Sequence, residues 1–93
     1  KQGGRFKDLP RQLPALMYAK DVYKQIQKQK MEAGHLVDEA SVRARAGDFE
    51  TEEELGRLLF EIAAACRLKK LDPESALRRH AQGIVDGLES DPA

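Results

Sequence analysis

Thr51 followed three residues later by Glu54, at the head of an apolar run, fixes the start of a helix more firmly than any other signal in this chain. In such a capping box each side chain accepts from a backbone N–H that the first helical turn leaves without a partner. Leu55, Leu58, Leu59, Ile62 and Cys66 then recur at helical spacing and form one apolar stripe. Asp72-Pro73-Glu74 opens a further helix with an N-cap acid, a proline at the first position and an acid near the positive helix end. Its buried face is expected at Leu77, Ala81, Ile84 and Leu88.

The same period runs through the first half. Helix 1 is expected from Pro14, with Ala15, Ala19, Val22 and Ile26 on one face, flanked by Leu16 and Tyr23, and Gly34 as its stop. The run from Lys24 to Lys30 is its solvated polar face. A short helix 2 is expected over 36–46, carrying Leu36, Val37, Ala40 and Ala44, and ending at Gly47. Residues 1–12, with Gly3, Gly4 and Pro10, form an expected flexible entry segment before a helical domain over 13–90, and 91–93 a frayed tail. No segment shows convincing strand alternation. The expected fold is all-α, a small helical bundle of three to four helices.

A chain of 93 residues holds one core. Sixteen basic residues balance sixteen acidic ones, so no net field draws the chain to nucleic acid or to a membrane surface. No apolar run approaches the ~20 residues of a membrane span, and no signal peptide is visible, so the expected location is cytoplasmic. Starting at Lys1 without an initiator Met, the chain is expected to be a piece of a longer protein. Cys66 is the only cysteine, which excludes an internal disulfide or a multi-cysteine zinc site. A thin core with apolar stripes on helices 1 and 3 leads to the expectation of a homodimer.

Glu52-Glu53-Glu54-Leu55-Gly56-Arg57-Leu58-Leu59-Phe60 resembles the second metal-binding helix of the MazG-type nucleoside triphosphate pyrophosphohydrolases, which reads Glu-Glu-Glu-Leu-Gly-Asp-Leu-Leu-Phe. Leu71-Asp72-Pro73-Glu74-Ser75-Ala76-Leu77-Arg78-Arg79 resembles the opening of that family's last helix, and Leu13-Pro14-Ala15-Leu16-Met17 the start of its first. The resemblance spans residues 13–88, strongest over 52–79. It implies hydrolysis of a nucleoside triphosphate to the monophosphate and pyrophosphate. It also implies Mg²⁺ held by Glu-Glu-x-x-Glu on one helix and Glu-x-x-Asp on the next. Hard oxygen ligands suit that ion, and an i, i+3 pair sets two carboxylates on one helix face.

The chain departs from this pattern in three places. Glu54 is kept, but the aspartate three residues on is Arg57. The first motif aligns with Asp38-Glu39-Ala40-Ser41-Val42, whose third acid is Val42. Ala81 and Gly83 stand where the family has a phosphate-holding Asn and Lys. The resemblance thus leaves Asp38, Glu39 and Glu54 as candidate Mg²⁺ ligands and Arg78 and Arg79 as candidate substrate-phosphate contacts. The same acids also read as a solvated helix face.

Arg57 lies i+3 from Glu54 and i−4 from Glu61, within reach of both carboxylates. It either supplies in place the positive charge that a metal would bring, or belongs to an ordinary surface charge cluster. The second is preferred, because an arginine repels Mg²⁺ at close range. His35 and His80 have no partner at metal-ligand spacing. No Ser/His/Asp or Cys/His constellation is readable, so no catalytic side chain is assigned. Two functions follow: a divergent pyrophosphohydrolase with reduced activity, or a catalytically silent module serving dimerisation or supporting an active domain elsewhere.

Overall fold

The computed structural model describes Phe6 and residues 13–89. The entry segment and the tail otherwise lie outside the described residues. The chain is all-α, with α1 (Ala15–Lys28), α2 (Glu39–Ala46), α3 (Glu52–Lys69) and α4 (Pro73–Glu89). It divides into two compact units. One holds α1, the turn to Val37 and the chain from Glu74 on, and the other runs from Asp38 to Pro73.

The first unit contains the core. Tyr18, Val22 and Ile26 of α1 meet Ala81, Val85 and Leu88 of α4, with Phe6 and Ala33 buried beside them. The spacings of four and three residues place each set on one helix face. Tyr18 and Val85 belong to this core, whereas Leu77 and Ile84, expected inside, are only half-buried. Ala15 pairs with Glu74 and Tyr18 with Gln82, so contacts advance in the same direction along both helices and the two run parallel. Parallel neighbours need a long connection, and residues 29–72 provide it.

The turn after α1 corrects two expectations. Gly34 is not the stop. Lys30 takes the left-handed conformation at φ 52°, and the N–H groups of Lys30 and Met31 donate to the carbonyls of Gln27 and Ile26. This is a Schellman closure, with Met31 turned onto the core near Ile26. Helix 2 starts at Glu39, not at position 36, because Asp38 caps it. Leu36 and Val37 instead form a hydrogen-bonded turn on Ala33 and pack against the core. Leu36 reaches α4 at Gly87, where a Cβ would stand 2.8 Å from Leu36 Cδ1; only glycine admits that approach without a shift.

The second unit is built differently. Neither α2 nor α3 contains a buried residue. Leu55, Leu58, Leu59 and Cys66 are half-buried, while Ile62 is half exposed, so the stripe read from the sequence is present but thinly covered. α3 ends in a second Schellman closure: Lys70 is left-handed at φ 60°, and Lys70 and Leu71 donate to the carbonyls of Arg67 and Cys66. No described helix is long and apolar enough to cross a membrane.

Candidate functional site

The candidate metal ligands lie at the start of α2 and on α3, and helix-end chemistry governs where their carboxylates point. Thr51 Oγ1 accepts from the Glu54 N–H at 3.1 Å, half of the expected capping box. The reciprocal half differs: Glu54 Oε1 accepts from the Glu50 N–H at 2.7 Å, one residue before the cap. Asp38 is not a side chain on a helical face, as an N-terminal start at position 36 would make it. It is the N-cap of α2, with Oδ1 accepting from the Ser41 N–H at 3.2 Å and Oδ2 from the Ser41 hydroxyl at 3.1 Å. The Ser41 N–H, then its hydroxyl, hold the Asp38 carboxyl below the usual carboxylate range.

Asp38, Glu39 and Glu54 therefore do not converge. Among the described residues no three His, Cys, Asp or Glu side chains gather closely enough to hold a metal ion. As arranged, the donor set does not fit Mg²⁺, which demands near-octahedral oxygens around one point.

What the fold does bring together is an open cleft of about 340 Å³ on the second unit, lined by Asp48, Glu54, Arg57, Leu58 and Glu61. Glu54, Arg57 and Glu61 are spaced to share one flank of α3, and Asp48 comes from the turn after α2. Arg45 neutralises Asp48 through an ion pair of 2.8 Å. Arg57 is exposed and, among the described residues, makes no ion pair with Glu54 or Glu61. The charge cluster expected around it is thus a set of neighbours in one cleft without closed contacts. Chemically the cleft offers one guanidinium among three carboxylates, a net acidic lining in which Arg57 sits close to each place a cation could take. Asp48 has no counterpart in the sequence reading, since no period links a turn residue to a helix face.

The candidate phosphate contacts separate. Arg79 is exposed to solvent. Arg78 is engaged inside the first unit. Its guanidinium donates to the Leu13 carbonyl at 2.6 Å and to Glu74 Oε2 at 3.2 Å, and it lies 5.9 Å from the centre of the Tyr18 ring. The same Glu74 oxygen accepts from the Ala15 N–H at 2.8 Å. Pro14 precedes α1 and offers no side-chain cap, so the first turn of α1 is capped from α4, 59 residues away. Tyr18 extends this seam, donating its hydroxyl to Gln82 Oε1 at 2.9 Å.

Ala81 is buried in the core, so an amide side chain at that position would enter apolar surroundings. Gly83 faces open space. Both histidines are exposed. Comparison with protein-family models, with curated proteins and with solved structures finds no match to this chain.

Proposed function

We propose that this chain is a divergent MazG-type nucleotide pyrophosphohydrolase module. Its own Mg²⁺-dependent hydrolysis is impaired, and its helices serve two-copy assembly. The observation that carries the reading is the Arg57 guanidinium in the Glu54–Glu61 cleft of α3, where the family pattern has a carboxylate. Substitution of a carboxylate by a cation changes the local charge by two units and repels the ion on which the family's chemistry depends. The engagement of Asp38 by Ser41 and of Glu54 by Glu50 supports the same conclusion, because both acids already have hydrogen-bond partners at helix starts. Among the described residues Arg57 makes no closed ion pair with Glu54 or Glu61, so its charge stays in the cleft.

Homodimerisation is part of the proposal. A second unit without a single buried helical residue leaves apolar surface on α3 that another copy would cover. The test is pyrophosphate release from a panel of nucleoside triphosphates with Mg²⁺ in excess. The expected result is turnover indistinguishable from a no-protein control, or rates far below those of an enzyme. Rapid, Mg²⁺-dependent formation of monophosphate and pyrophosphate would overturn the impaired reading.

A further inference from the structure

Beside its thinly covered stripe, α3 exposes a further side centred on the aromatic Phe60, with charged residues at both ends. At about 100° per residue, Glu53, Gly56, Phe60, Ala63 and Arg67 fall on one side, with alternating spacings of three and four, and Lys70 follows at the left-handed helix end. That side lies roughly 115° around the helix from the centre of the Leu55–Cys66 stripe, with Ala63 bordering Leu59, and roughly 120° from the Arg57 flank. All five, and Lys70 after them, are exposed. Phe60 is 72% exposed although it is an aromatic, and no atom lies within 4 Å of where a Cβ on Gly56 would be.

We propose that this face pairs with the same face of a second copy of the chain, the two α3 helices running antiparallel across a two-fold axis. This names the surface for the two-copy assembly proposed above and rests on that reading. Two features select a second copy as the occupant. The first is charge: α3 begins with Glu52, Glu53 and Glu54 and ends with Arg67 and Lys69, followed by Lys70. An antiparallel pair sets each acidic end against the other copy's basic end, and opposes the two helix dipoles favourably. A parallel pair would set like charges together at both ends.

The second feature is size. In an antiparallel seam each residue of the first heptad position faces one of the second. With the two-fold between positions 60 and 63, Phe60 faces Ala63 of the other copy, Gly56 faces Arg67, and Glu53 comes opposite the helix end that carries Lys69 and Lys70. Each ring then fills the space left by a methyl side chain, with Gly56 and Ala64 beside it. The pairing is self-complementary, so one surface serves both partners. The Arg57 cleft stays open to solvent, because it lies on another side of the helix.

Sedimentation velocity over a wide concentration range tests this, with far-UV circular dichroism confirming that each variant stays helical. The parent should pass from monomer to dimer. Phe60→Ala should weaken dimerisation at least tenfold, and Glu53→Lys should weaken it in a salt-sensitive manner. The double variant Phe60→Ala with Ala63→Phe should regain most of the lost affinity, because it only exchanges the two sides of the same contact. A parent that dimerises while Phe60→Ala and Glu53→Lys do so equally well overturns this face and leaves two-copy assembly standing. A double variant no better than Phe60→Ala overturns the antiparallel register. A parent that stays monomeric throughout overturns both the face and the assembly, and leaves Phe60 to a partner of another kind.

Discussion

Removal of the Glu74 carboxylate should loosen the first unit at the start of α1. In Glu74→Ala the Ala15 N–H loses an acceptor at 2.8 Å, and Arg78 loses an ion-pair partner at 3.2 Å. A hydrogen bond to a charged group contributes about 1.5–3 kcal/mol when well shielded. The Glu74 side chain is 57% exposed, so solvent screening brings this to about 1 kcal/mol, and the ion pair adds about 0.3–0.5 kcal/mol. The sum, about 1.5 kcal/mol, corresponds to a fall in Tm of about 6–12 °C for a domain of this size. Glu74→Gln keeps an oxygen acceptor without the charge and should lose about half as much. Thermal unfolding followed by circular dichroism reads both. A Glu74→Ala protein melting within about 1 °C of the parent would refute the idea that α4 caps α1.

Lys70→Gly should stabilise the chain by roughly 0.5–1 kcal/mol in chemical denaturation, since Lys70 sits in the left-handed region where a Cβ is costly. Gly83→Ala should likewise add roughly 0.5–1 kcal/mol, because Gly83 lies mid-helix with open space around it. Gly87→Ala should fall about 1 kcal/mol below Gly83→Ala in the same assay, the new Cβ having to displace Leu36. Asp38 gives the pH test. Its folded pKa lies below the unfolded one, so its support for α2 is complete above the ordinary carboxylate pKa and is lost as pH falls through the folded value. NMR signals of α2 should therefore report fraying in acid, and Asp38→Asn, still an N-cap, should remove that pH dependence.

The parts of the fold legible in the sequence are those set by local chemistry. The Thr51 cap, the α3 stripe and the Pro73 start need only neighbours in sequence, and each is found where its pattern lies. The end of α1 was not legible. Lys30 closes the helix in a conformation that favours glycine, drawn there by Met31 packing on the core, while the nearby Gly34 closes nothing. The start of α2 was misplaced for a related reason, since Leu36 and Val37 continue the helical period but are held by contacts with another part of the chain. The site divides in the same way. Spacing places Glu54, Arg57 and Glu61 on one flank, yet does not reveal that Asp48 joins them or that Arg78 is held by Leu13, Glu74 and Tyr18. Pro14 signals that α1 needs an acceptor from elsewhere, but sequence does not say that Glu74 provides it.

The central claim is that a guanidinium at position 57 stands against Mg²⁺ in the α3 cleft. Isothermal calorimetry with MgCl₂, on the unmodified chain and on Arg57→Asp, tests it most directly. The account predicts no saturable binding to the unmodified chain, and measurable affinity once a carboxylate stands three residues from Glu54 in the cleft with Asp48 and Glu61. Tight Mg²⁺ binding to the unmodified chain without nucleotide, or an Arg57→Asp variant that gains none, would contradict it.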